Sequence, residues 1–211
     1  MRYATFLSTL LCVLALTTSP VSAQEPRLEQ VTAERSGVFS LEAAFDFGFV
    51  DQLKFTDTSE DEPRSTNVDA SPTFGFTSAV EFKLSDVVGL GLEIATLWII
   101  PEDRDIQDAR RILVNPMARA RFSYPVYNKL NAELFGGLGA SIWLANDEEQ
   151  DAIDSSRFGL ALRFGVGAAY ELTPWLSAYS RMGYVTALSF GDDITARFGT
   201  FTASLGLRVG I

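Results

Sequence analysis

Histidine is absent from this 211-residue chain, and its one cysteine is Cys12. Imidazole base chemistry, zinc–thiolate clusters and a disulfide are therefore excluded. What chemistry remains must come from carboxylates, guanidinium groups and lysine. Twelve such residues sit inside stretches where apolar and polar residues alternate: Glu42, Asp46, Glu81, Glu93, Glu133 and Glu171 against Lys83, Arg119, Arg121, Arg163, Arg181 and Arg208. A carboxylate pair such as Glu81 and Glu93 could serve as acid and base in a hydrolysis. A balanced set of both signs can instead neutralise itself. The arginines near that pair favour the second reading, because a buried charge without a partner is costly.

The elements that must position these residues are read from a period of two. Eight segments carry it: 38–50, 73–84, 90–100, 112–124, 130–144, 157–172, 176–188 and 196–211. In the last, Phe201, Ala203, Leu205, Leu207, Val209 and Ile211 alternate with Thr202, Ser204, Gly206, Arg208 and Gly210. Sorting the charges by face is decisive. One face of every segment is apolar and carries no charge except Arg197 at one end; the twelve residues above all lie on the other. That second face is also rich in small residues, including Gly137, Gly139, Ala161, Gly165, Gly167 and Gly183.

An exported, soluble, lipocalin-like barrel would turn the apolar face inward and the charges to water. Small residues are a poor choice for such a surface, yet they suit a narrow interior that must hold long charged side chains. Aromatic residues also gather near segment ends, with Trp98 at one end and Tyr124, Tyr127, Tyr170 and Trp175 at the other. They resemble the interfacial girdles of membrane barrels. Each segment is long enough for a tilted strand to cross a bilayer, which takes ~9–11 residues. The predicted fold is all-β: an eight-stranded antiparallel up-and-down transmembrane barrel over residues 37–211.

Connections alternate in length. Residues 85–89, 125–129 and 173–175 are short; 51–72, 101–111, 146–156 and 189–195 are long and polar and hold 17 acids against five bases. Short turns are expected on the periplasmic side, long acidic loops outside the cell. The run NDEEQDAID could hold Ca²⁺ loosely, but it lacks EF-hand spacing, so solvated loops are the expectation. FGGLGA and FGVGAA do not complete a phosphate-binding GxGxxG. No cofactor or metal site is expected.

Residues 1–23 read as a cleaved secretory signal: a basic start at Arg2, an apolar run from Phe6 to Leu16, and Val21-Ser22-Ala23 before Gln24. Residues 24–36 then form a short periplasmic segment. Without Arg2 the chain carries 16 bases against 27 acids, which argues against nucleic acid as a partner.

Symmetric folding about the connections predicts partners for the charges. A fold about residue 106 sets Glu93 opposite Arg119, and one about 127 sets Arg121 opposite Glu133. A fold about 87 places Glu81 beside Glu93, a repulsion that Arg119 relieves. Closure brings Arg208 to Glu42. Pro116, within a strand paired on both sides, must force a bulge or lose a ladder bond.

Eight alternating segments, short turns, long acidic loops and a terminal amphipathic strand resemble the eight-stranded outer-membrane β-barrel superfamily, which includes the OmpA transmembrane domain, opacity-type proteins and OmpW. The resemblance implies insertion into outer-membrane lipid, recognition of the last strand by the barrel-assembly machinery, and a monomer. Members usually end in an aromatic residue, where this chain has Ile211. Enzymes of the wider group rely on a histidine, so a non-enzymatic structural or surface-interaction role is expected. The alternative, which the aromatic residues Phe135, Trp143 and Tyr179 on the inner face support, is a narrow, OmpW-like conduit for small molecules.

Overall fold

The computed structural model describes residues 39–57, 64–70, 73–99, 111–145, 157–190 and 194–211. Residues 1–23 and 24–36 lie outside these, as do 101–110 and 146–156. The described residues form nine strands: β1 (Phe39–Asp57), β2 (Arg64–Ala70), β3 (Phe74–Lys83), β4 (Val88–Ile99), β5 (Arg111–Tyr127), β6 (Leu130–Ala145), β7 (Arg157–Thr173), β8 (Leu176–Phe190) and β9 (Ile194–Gly210). β1 and β3 to β9 pair in sequence, each antiparallel to the next, and β9 pairs back onto β1. The result is a closed eight-stranded antiparallel barrel with no helix among the described residues.

β2 corrects the expectation that 51–72 is a loop. Phe47↔Phe74 and Asp51↔Ala70 keep one register along β1, so β2 continues the line of β3, and β1 stays paired with both β2 and β9 as far as Asp57. The alternation hid this extension because β1 is bulged between Phe49 and Gln52 against β9. One inserted residue exchanges the two faces. Below the bulge even-numbered residues such as Glu42 and Asp46 are buried; above it Leu53 is buried and Lys54 exposed.

The apolar face is outward, as a barrel in lipid requires and a soluble one forbids. Phe45 is 65% exposed and Leu92 is 70% exposed, whereas Glu42 is 4% exposed. Tyr124, Tyr127, Tyr170 and Trp175 are exposed at the short-turn end and Trp98 toward the other. Outward rings pair across β1 and β3: Phe39 with Phe82 at 5.3 Å, and Phe45 with Phe76 and Phe47 with Phe74 at 5.9 Å each. Such cross-strand aromatic pairs help to fix register.

Closure staggers the strands. Pairing runs from Glu42 through Ala79, Glu93, Met117, Gly139, Ala161, Ala187 and Phe198, and returns to β1 at Leu53, 11 residues further on. One of those residues is the bulge. This stagger tilts the strands and leaves an interior that side chains can fill.

The short turns are built locally. Ser85 Oγ accepts from the backbone N–H of Val88 at 3.0 Å. Asn128 takes a positive φ of 42° between Tyr127 and Leu130, a conformation its short polar side chain tolerates. Thr173 Oγ1 accepts from the N–H of Leu176 at 3.0 Å.

Pro116 pairs with Ile94 on β4 and has no partner on β6. The β5–β6 register nonetheless resumes unchanged from Val114↔Ile142 to Met117↔Gly139. Of the two expected outcomes, then, the ladder is interrupted and no bulge forms. β6 stays close here because it offers glycine: a Cβ on Gly139 would lie 2.0 Å from the Pro116 carbonyl oxygen, whereas one on Gly136 would have 3.8 Å to its nearest neighbour. Gly139→Val should therefore destabilise the barrel by about 1–3 kcal/mol through overpacking, and Gly136→Ala by far less. Urea unfolding in detergent, followed by the gel-mobility difference between folded and heated protein, measures both.

Candidate functional site: the charged lumen

Alternation aims Glu42, Asp46, Glu81, Glu93, Arg119, Arg121, Glu133, Arg163, Arg181 and Arg208 into the barrel, and all ten are buried. They come from all eight wall strands and meet in one network. Arg119 reaches three carboxylates: Glu42 at 2.7 Å, Glu81 at 3.0 Å and Glu93 at 3.1 Å. Arg163 joins Asp46 at 2.8 Å and Glu93 at 2.9 Å. Arg181 joins Glu42 at 2.9 Å and Glu133 at 3.1 Å, and Arg208 the same two at 2.6 and 2.7 Å. Arg121 bridges Glu81 to Glu133, the latter at 3.0 Å. Every arginine touches at least two carboxylates. Asp46 also accepts from Thr77 and Ser204, so its lone pairs are engaged too.

The registers differ from those predicted by symmetric folding. Glu93 lies across from Met117, Arg121 from Phe135, and Glu81 from Gly91. Each hairpin closes two residues away from the expected register. An even slip preserves the faces, so the same charges enter the lumen, and long side chains span the offset. The expected Glu81–Glu93 juxtaposition is absent from the ladder, and Arg119 binds both carboxylates. Glu42 and Arg208 are paired directly where β9 meets β1.

Phe135 and Tyr179, inward aromatics that could have lined a conduit, instead lie against guanidinium groups. Arg181 stands 4.1 Å from the Tyr179 ring centroid and 5.1 Å from that of Phe135, and Arg208 lies 5.3 Å from Tyr179. Arginine over an aromatic face is a favourable contact that water need not supply. Lys83 and Glu171 face inward nearer the short turns, where Asn131 donates to Glu171 at 3.3 Å.

Above the network, toward the long connections, the lumen changes character. Leu53, Leu97, Ile99, Leu113, Trp143, Val185, Ala187, Ala196 and Phe198 form a single buried cluster. Sequence reasoning weighed only Trp143 among them. Leu97, Ile99 and Leu113 follow from carrying the inward parity to the ends of β4 and β5, but Leu53 was hidden by the bulge. Asn115 and Ser141 lie buried on β5 and β6, between the charges and this cluster.

No group of three or more His, Cys, Asp or Glu is placed to hold a metal ion among the described residues. Each carboxylate of the network is already held by arginine. The arrangement is one of neutralisation, with no free acid–base pair.

An all-β closed barrel with its charges inside and its apolar residues outside agrees with the family comparison, in which the outer membrane protein beta-barrel domain matches residues 8–208. The chain belongs to this family. It is a bacterial outer-membrane barrel protein. None of the curated proteins matches its sequence. Among solved structures it is similar to neisserial surface protein A, with 15% identity and a TM-score of 0.53 over 84% of this chain and 100% of that one. It is also similar to the outer membrane protein OprG from Pseudomonas aeruginosa, with 14% identity and a TM-score of 0.48 over 84% and 97%. The outer membrane protease OmpT from Escherichia coli aligns with 9% identity and a TM-score of 0.45 over 82% and 97%. At such identities the likeness to neisserial surface protein A speaks for the fold.

The network makes Arg119 the most sensitive position of this outer-membrane barrel. Arg119→Met leaves Glu42, Glu81 and Glu93 each short of one partner and should cost about 3–5 kcal/mol, the range for breaking a buried pair from one side. Removing Arg119 and Glu93 together as Arg119→Met/Glu93→Gln should cost less than the sum of the single losses. A double-mutant cycle on unfolding in detergent checks both statements.

Proposed function

We propose that this protein is a non-enzymatic outer-membrane barrel whose lumen is closed by its own salt bridges and whose role is structural or lies in surface interaction through its acidic connections. The observation that carries this reading is the complete mutual engagement of the five network arginines and five carboxylates. A charge committed to two or three partners is neither a free general base nor a mobile ion site. The lack of histidine in the chain points the same way.

In this reading residues 1–23 direct export and are removed, and 24–36 remain on the periplasmic side. The outward apolar band meets outer-membrane lipid, and the barrel works as a monomer. The final strand, β9, carries the signal for the barrel-assembly machinery, with Phe201 and Ile211 on its lipid face.

A second reading, a narrow OmpW-like conduit for small molecules, draws support from the apolar upper lumen. That cluster includes Leu97, Leu113 and Phe198, and beneath it Asn115 and Ser141 place buried polar groups without protein partners. Planar-bilayer recording separates the two. The closed-lumen reading expects no steady single-channel openings from the purified protein and no uptake of small solutes into proteoliposomes. Steady openings, or solute uptake above that of empty vesicles, would overturn it.

A further inference from the structure

The bulge in β1 has an effect outside the barrel as well as inside. By exchanging the faces of β1 between Phe49 and Gln52, it turns Lys54 outward, directly opposite Arg197 of β9. Both side chains are exposed. Among the strand residues whose side chains are described, these are the two charges found exposed on the outer face, and no ion pair is seen for either among those residues. The outward neighbour of Arg197 on β8 is Leu188, which brings no counter-charge. Like charges directly opposite one another on adjacent strands repel. The β1–β9 seam thus gathers two outward cations at one point.

Their height identifies the surroundings. On β1 the outward apolar residues run from Phe39 to Phe49. Ten steps of ~3.3 Å on a strand tilted by ~40° span about 25 Å, the height of the apolar band of such barrels. Lys54 lies five residues beyond Phe49, and Arg197 four beyond Phe201, both toward the long connections. The pair therefore stands just past the hydrocarbon, at the level of lipid headgroups. Hydrophobic residues adjoin it, with Leu188 beside Arg197 and Phe190 exposed further along β8.

We propose that Lys54 and Arg197 form a binding site for a phosphate of a phosphorylated glycolipid in the outer leaflet, with acyl chains packing along the outward apolar residues below. A phosphate between the two cations converts their repulsion into two charge-assisted contacts. Arginine supplies a planar fork and lysine a point charge, a combination suited to phosphate oxygens. The membrane places the lipid permanently at this height.

The test uses the full barrel purified in a zwitterionic detergent, with lipid adducts read by native mass spectrometry. The probes are a bisphosphorylated diglucosamine lipid, the same lipid without phosphates, and inorganic phosphate. Wild-type protein should retain the bisphosphorylated lipid. Lys54→Gln/Arg197→Gln should retain it at least tenfold less, and Lys54→Arg/Arg197→Lys should retain it nearly as well as wild type. Unchanged heat-modifiable gel mobility shows that each variant is folded. Equal retention by the Gln variant, or equal retention of the phosphate-free lipid, would overturn the proposal. So would complete displacement by millimolar inorganic phosphate, which marks a site for free anion.

Discussion

An ionised side chain enclosed in an eight-stranded barrel has neither bulk water nor lipid headgroups to stabilise it, so each charge admitted to the lumen must be answered within the lumen. This constraint governs the rest of the structure. It requires equal numbers of the two signs in the central network, where five arginines meet five carboxylates. It also favours arginine over lysine, because a guanidinium can hold several carboxylates at once through fixed donors. Arg119, which joins residues from β1, β3 and β4, does this most fully. The small residues on the inner face follow from the same demand: Gly165 and Gly183 pass beside the Phe135 ring, where a Cβ would come within 2.8 and 3.2 Å of it.

The network also bears on closure. The seam between β9 and β1 is the one contact that joins the two ends of the sheet, and it carries the Glu42–Arg208 pair. Glu42 is shared with Arg119 of β5 and Arg181 of β8. The seam is therefore tied to strands across the lumen as well as to its own ladder. A register slip of one residue at the seam would expel Arg208 toward lipid and strand Glu42, so the ions specify register where the apolar band of the outer face does not. Buried ion pairs contribute little net stability when compared with apolar packing. Here their contribution lies in which closed barrel forms.

Much of this was legible in the sequence because face is a matter of parity. Strand existence, the direction of all ten charges and the Glu42–Arg208 seam follow from counting by two. Register was less legible: the connections do not close symmetrically about their midpoints, so Glu93 lies across from Met117 where Arg119 was expected. The error was harmless to the network because it was even, and because glutamate and arginine are long enough to reach diagonally. The bulge was not legible at all. A single inserted residue breaks alternation in the same way that a loop does, and nothing about Val50 or Asp51 in isolation separates the two cases. Leu53 and Lys54 were thus assigned to a loop, although one packs in the lumen and the other stands on the outer rim.

That one residue also explains why the lumen has two halves. Were the parity of β1 continuous, Lys54 would enter the cluster of Leu97, Leu113, Trp143 and Phe198, and no carboxylate there could answer it among the described residues. The bulge substitutes Leu53, which joins residues of β4, β5, β6, β8 and β9 in that apolar cluster. An apolar layer over an ionic one is self-consistent, since the layer excludes the water that would weaken the ion pairs below. The ionic layer in turn needs no counter-ion from above. Both layers thus depend on the one inserted residue that keeps Leu53 in the lumen and Lys54 out of it.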